Sequence, residues 1–149
     1  MLELDSVSTQ AGDFRLHSVS LTVADGESHV LLGPSGSGKT TLLETIIGVR
    51  QPDGGRITLA GRDLRDVPVE KRGIGYLPQR LALFPHLTAE KNILFGPRSR
   101  RQPPSKYQPI VETLVEATGI RTLLDRRPDT LSGGEQQRVA LVTALSSQP

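Results

Sequence analysis

The sequence predicts an α/β fold, on three observations. A glycine-rich stretch, Gly33-Pro34-Ser35-Gly36-Ser37-Gly38-Lys39-Thr40, lies between a strand-like and a helix-like segment. Strand signals concentrate before Gln79. Helical signals take over after it. The 149 residues suffice for one domain with a real core.

In chain order, residues 2–8 and 14–23 read as strands. Leu16, Val19, Leu21 and Val23 are apolar at mostly alternate positions, and Ala11-Gly12-Asp13 supplies a turn. Asp25-Gly26-Glu27 turns the chain into Ser28-His29-Val30-Leu31-Leu32, an apolar run expected to be a buried strand. Thr41 to Ile47 carries apolar residues at helical spacing, closed by Gly48. After the turn Gln51-Pro52-Asp53-Gly54-Gly55, Arg56 to Ala60 reads as a strand ending at Gly61. Asp63 to Val69 reads as a loop or short turn. Gly73 to Pro78 reads as another strand, since Tyr76 and Leu77 suit a sheet and Pro78 ends it.

Beyond Gln79, Thr88 caps an expected helix over Ala89–Phe95 that Gly96-Pro97 ends. Residues 98–105 read as a Pro/Arg/Ser loop. Tyr107 to Thr118 repeats Ile110, Val111, Leu114 and Val115 at helical spacing and stops at Gly119, and Ile120 to Leu124 is a short further helical piece. Val139 to Leu145 is rich in small and apolar residues, as a helix buried on more than one side would be. The expected architecture is an α/β nucleotide-binding core with a helical insert.

The glycine-rich stretch fits a P-loop: glycine, four residues, then Gly-Lys-Ser/Thr between strand and helix. Gly33, Gly36 and Gly38 let the backbone approach a phosphate with no Cβ in the way. Successive N–H groups then form an anion nest at a helix N-terminus, where the helix dipole also favours negative charge. Lys39 can reach the β- and γ-phosphates, and the Thr40 hydroxyl can ligand Mg²⁺.

Composition narrows the alternatives. Net charge is +2, and the one basic cluster, Arg98, Arg100 and Arg101, reads as a solvated loop beside Pro103-Pro104, so nothing argues for nucleic acid. There is no cysteine, so thiol chemistry is excluded. His17, His29 and His86 show no metal-ligand spacing. No apolar run approaches the length of a membrane span, and Met1-Leu2-Glu3-Leu4-Asp5 lacks the features of a signal peptide. A soluble intracellular protein is expected.

A second constellation is Leu131-Ser132-Gly133-Gly134-Glu135-Gln136-Gln137-Arg138. Two readings are open from the residues. The Ser-Gly-Gly step can make another anion-binding helix N-terminus, or it can be a plain helix start with Ser132 as N-cap and Glu135 at capping-box spacing.

With these motifs in order, the chain resembles the ATP-binding subunit of ABC transporters along its whole length. Leu131 to Glu135 is similar to the family signature motif, and Gln79 to its Q-loop glutamine, 40 residues after Lys39 and 53 before Ser132. The resemblance implies a P-loop NTPase core with an N-terminal antiparallel β subdomain and a helical insert, C-terminally incomplete. It places the β subdomain and P-loop core in 1–78, the Q-loop and helical subdomain in 79–130, and the signature motif with its helix in 131–149.

The resemblance also implies ATP and Mg²⁺ as cofactors. Gly33 to Thr41 would hold the phosphates, and Thr40 and Gln79 the metal. Lys39, Gln79 and Ser132 would carry the catalytic roles. A second subunit would pair head to tail, so that Ser132, Gly133 and Gly134 act in trans on its γ-phosphate. Gln79 would link the site to the insert, which would receive a transmembrane permease subunit at the cytoplasmic face of the membrane, with a solute-binding protein as an indirect partner. Phe84, Pro85, His86 and Leu87 are a candidate part of that contact, with ordinary packing as the alternative. An aromatic usually stacks on adenine. Here Phe14 is the only one nearby, Ala11 stands near the usual place, and a core role for Phe14 is the alternative.

Within the family, Arg72 to Gln79 and Leu83 to Thr88 are similar to importers of small oxyanions. Gly12 to Leu16 and Leu123 to Arg126 are most similar to the molybdate/tungstate branch. The family pattern continues with a strand ending in an aspartate for Mg²⁺ and a glutamate that polarises water, and with a later histidine. These are not in the sequence, so the chain alone is expected to be inactive, and apolar faces around Val30–Leu32 and Ile74–Leu77 are expected to lie unpaired or exposed. The competing reading is a nucleotide-binding module that does not hydrolyse ATP. A soluble ABC protein of repair or translation is disfavoured by the single short insert.

Overall fold

Alternating apolar residues and a glycine turn make the first 23 residues a hairpin. In the computed structural model, which describes residues 1–148, β1 (Leu2–Ala11) and β2 (Phe14–Val23) pair antiparallel, with Ala11 opposite Phe14 at the turn. Leu4 and Val7 are three residues apart and would face opposite sides of a regular strand. A register shift between them, with Ser6 at φ 52°, brings both into the core at 3% and 0% exposure. β3 (Gly54–Leu59) and β4 (Arg62–Asp63) complete an antiparallel sheet of order β2-β1-β3-β4, with Ile57 opposite Leu4. α1 (Lys39–Ile47) buries Leu42, Ile46 and Ile47. The segment expected as a loop or turn after Asp63 leads to a 3-10 turn at Val69–Lys71, and this first compact unit ends at Arg72.

A second unit begins at Gly73 and is helical. α2 (Ala89–Ser99), α3 (Pro104–Thr118) and α4 (Gly133–Leu145) surround a core of Ile93, Tyr107, Val115, Val139 and Val142. Thr88 caps α2, accepting the Lys91 N–H at 3.3 Å. The expected helical piece at Ile120–Leu124 is a 3-10 turn, Arg121–Leu123, and another follows at Pro128–Thr130.

Several expectations are corrected. Ser28–Leu32 and Gly73–Pro78 are not strands. A strand exists through its ladder, and neither segment has a hydrogen-bonded neighbour among the described residues. Val30 and Leu32 are 73% and 88% exposed and Leu77 43%, so the first segment is not buried.

Helix α2 does not stop at Gly96-Pro97 but continues to Ser99. Pro97 removes the N–H that would bond the Ile93 carbonyl. The buried Ser146 hydroxyl donates to that carbonyl instead, at 2.8 Å. Helix α3 starts at Pro104, inside the expected loop, because proline suits a first helical position. Helix α4, expected to be buried on more than one side, keeps an open stripe. Val139 and Val142 are enclosed, but Leu141 and Leu145 are 40% and 38% exposed. Among the described residues α4 packs mainly on α2 and α3, which cover one side.

Candidate nucleotide site and signature turn

The loop from Gly33 to Gly38 is an exposed turn that feeds directly into α1. The Ser37 N–H closes it on the Pro34 carbonyl at 3.3 Å, and the Leu42 N–H starts the helix on the Gly38 carbonyl at 2.8 Å. Lys39 folds back over its own loop. Its ammonium donates to the Gly33 and Pro34 carbonyls, both at 2.8 Å, and to the Ser37 hydroxyl at 3.3 Å. A full positive charge therefore sits over the loop, beside the unsatisfied first-turn N–H groups of α1. No side chain caps this helix and no acidic residue lies in its first turn, so among the described residues nothing at the helix start neutralises that charge. Pro34, Ser35, Gly36 and Ser37 are exposed. The Thr40 side chain is exposed at the loop exit, and Thr41 is half-buried behind it.

Gly38 explains why the loop needs glycine there. It has φ 89°, in the left-handed region, and a Cβ on it would fall 2.6 Å from the Phe14 ring and 2.8 Å from Leu16. Phe14 therefore packs directly on the P-loop, half-buried at the end of the β1–β2 hairpin.

The other predicted site residues belong to the second unit. Ser132 is the N-cap of α4 and forms a complete capping box. Its N–H donates to the Glu135 carboxylate at 2.7 Å, its hydroxyl donates to the same oxygen at 2.8 Å, and the Glu135 N–H returns a long bond at 3.4 Å. These bonds from the Ser132 backbone and hydroxyl hold the Glu135 carboxyl below the usual glutamate range. Ser132, Gly133 and Gly134 are exposed. Gln79 and Gly134 line one open groove of about 640 Å³, together with Leu77, Gln137, Arg138 and Leu141.

Two structuring residues have roles that the sequence motifs do not assign. Gln136 ties the start of α4 to the preceding turn, donating to the Pro128 and Leu131 carbonyls at 2.9 and 3.1 Å. Asn92, 1% exposed, shapes the segment from Phe84 to Thr88. Its Oδ1 accepts the Phe84 N–H at 2.7 Å, and its amide donates to the carbonyls of Phe84, Leu87 and Thr88 at 3.1, 3.2 and 3.0 Å. The loop so held presents Phe84 against Phe95 at 4.5 Å between ring centroids, with His86 edge-on at 6.0 Å. Both phenylalanines keep more than a third of their surface exposed.

Residues 16–149 match the ABC transporter family. The molybdate/tungstate import ATP-binding protein of Pyrococcus horikoshii is 49% identical over 149 residues, covering all of this chain and 43% of that protein. The sulfate/thiosulfate import ATP-binding protein of Synechocystis is 48% identical over 147 residues, covering 98% of this chain and 41% of that protein. The chain thus spans less than half the length of these curated relatives.

Among solved structures, an ATP-binding subunit of an ABC transporter superposes with a TM-score of 0.89 at 28% identity, over all of this chain and 63% of that one. A dimeric ATP-binding cassette in a post-hydrolysis state, bound to ADP and Pi, gives 0.84 at 26% identity, over all of this chain and 71% of that one. A P-loop whose lysine covers its own glycine turn, a capped signature helix and near-half identity to cassette proteins along the chain agree: this chain belongs to the ABC transporter family.

Proposed function

We propose that this chain forms the nucleotide-binding part of an ABC importer's ATP-binding subunit, in a system carrying an oxyanion such as molybdate, tungstate or sulfate. The observation that carries the reading is the Lys39 ammonium over the Gly33–Ser37 turn, at a helix N-terminus with no internal counter-charge. A triphosphate supplies the anion that such a site lacks. The first-turn N–H groups would hold the β-phosphate, and Lys39 would shift from loop carbonyls to phosphate oxygens. The exposed Thr40 hydroxyl suits Mg²⁺, which keeps most of its shell as water and phosphate oxygen. Phe14, packed on Gly38, would meet the base.

ATP contributes the phosphoryl group whose binding and cleavage drive the cycle; this chain's residues grip and orient it. A second copy would pair head to tail; one structural neighbour, an ATP-binding cassette bound to ADP and Pi, is dimeric. Its Ser132, Gly133 and Gly134 would then face the γ-phosphate across the interface, while Gln79 would contact Mg²⁺ and the attacking water. The exposed Phe84–Phe95 pair, fixed by Asn92, is the surface we assign to the permease subunit. That assignment puts the chain at the cytoplasmic face of the membrane. No helix among the described residues is long and apolar enough to cross one. The oxyanion class rests on the names of the relatives.

The test is ATPase activity and nucleotide affinity of the complete protein beside its Lys39→Ala variant. Activity lost with affinity supports the reading. Unchanged affinity in the variant overturns it.

A further inference from the structure

Arg72 is a buried cation with no carboxylate against it among the described residues. It is 4% exposed, and the acceptors of its guanidinium are main-chain carbonyls. Nη1 donates to Ile46 O at 2.7 Å and to Thr45 O at 3.2 Å, and Nε donates to Val67 O at 2.9 Å. Ile46 and Thr45 belong to the last turn of α1, where carbonyls have no helical partner. The Gly48 N–H already serves the Glu44 and Thr45 carbonyls, at 3.1 and 3.2 Å, and leaves Ile46 to the arginine. The guanidinium packs against the bare Cα of Gly48, where a Cβ would come within 2.5 Å of Cζ and Nε. Its charge also stands at the negative end of the helix dipole.

We propose that Arg72 is a positioning residue for nucleotide binding. It clamps the C-terminal end of the nine-residue helix α1 and so sets where Lys39 and Thr40 stand at its other end. The inference rests on the P-loop reading above. A short helix moves as a rod, and separate contacts fix the two ends of α1. At its start Gly38 leans on Phe14 and Leu16, and at its finish Arg72 ties it to the Val67 segment after β4. Releasing one pin lets the rod tilt about the other, and the lysine and anion nest move with it. A displacement of about 1 Å in such a site can cost on the order of a hundredfold. Arginine is needed because its planar fork donates in two directions at once, to α1 and to Val67, which a point-like ammonium does poorly.

The experiment compares wild type, Arg72→Met, Arg72→Lys and Lys39→Ala in the complete protein. ATP affinity is measured well below each variant's own thermal midpoint, so that loss of folded protein does not enter. The expected result is roughly a tenfold or greater loss for Arg72→Met, partly recovered in Arg72→Lys. If Arg72→Met does not fold, Arg72→Lys is read alone. A weakened affinity at near-wild-type thermal midpoint then supports the clamp, and wild-type affinity overturns it. Wild-type affinity in a folded Arg72→Met also overturns it. A Lys39→Ala variant that binds ATP normally would instead fault the P-loop reading itself, so the two failures are told apart.

Discussion

Two helices in this chain begin on a glycine-rich turn, and they treat the positive end of the helix differently. Helix α1 starts at Gly38 with no side-chain cap and no acid in its first turn, and adds the Lys39 ammonium to the charge already there. Helix α4 starts at Ser132 with a complete capping box, so a carboxylate from its own first turn holds the N-cap N–H and hydroxyl and puts a negative charge at the helix start. Both sequences are Ser/Gly-rich steps into helices. The difference teaches that such a turn is an open anion site only when nothing nearby has filled it. On the reading proposed above, the P-loop would take a phosphate within one copy. A phosphate brought to the signature turn would meet the Glu135 carboxylate beside the Gly133 and Gly134 N–H groups, which would suit a contact made only when a second copy presents nucleotide.

The comparison breaks most visibly at Lys39. Lys39→Ala removes the one cation over the open turn, and charge-assisted bonds to phosphate are strong. ATP affinity is expected to fall by about a hundredfold or more, close to 3 kcal/mol, in a fluorescent-nucleotide titration. Gly38→Ala is expected to have the next largest effect. It forces an L-residue into φ 89° and pushes a methyl to within 2.6 Å of the Phe14 ring. Each of these costs about 1–2 kcal/mol. Urea unfolding should show a matching loss, and nucleotide affinity should drop even where the variant is folded. A Gly38→Ala protein with wild-type stability and affinity would mean that Phe14 does not pack on the loop in solution.

Legibility followed the range of the interactions. The β1–β2 hairpin, the P-loop and the α4 capping box are made by residues close in sequence, and spacing alone exposed them. Ser28–Leu32 and Gly73–Pro78 have strand composition, but a ladder is a contact with a distant segment that composition does not contain. The Pro97 break failed for the same reason. The group that satisfies Ile93 is Ser146, on another helix, and no local rule anticipates it. The structural roles of Asn92 and Arg72 carried no signal, because both donate to main-chain carbonyls, which every sequence offers everywhere. The matched family explains why the motifs stood in order; it does not explain these private contacts.

The signature turn sharpens the comparison at lower energy. Ser132→Ala removes the N-cap and should cost about 1 kcal/mol in denaturant unfolding. ATP affinity of a single copy should be unchanged, because the open site is at the other helix. A fall in single-copy affinity would mean that α4 also takes nucleotide within one chain, and the contrast between the two turns would fail.

The smallest effect is the titration of Glu135. Its carboxyl is held below the usual glutamate range, chiefly by the Ser132 N–H and then by the Ser132 hydroxyl, with Arg126 and Arg138 adding attraction. A lowered pKa in the folded state means that the native form binds fewer protons than the unfolded one near the glutamate range. The capping contribution is therefore complete above the ordinary glutamate pKa and is lost as pH falls through the lowered folded value. Carbon NMR of the Glu135 carboxyl should place its midpoint below those of unpaired glutamates, and Ser132→Ala should move it back up. Glu135 titrating as an ordinary glutamate in the wild type would mean that the capping box is open in solution. Helix α4 would then present an N-terminus with no carboxylate held at its cap, as α1 does, lacking only a lysine.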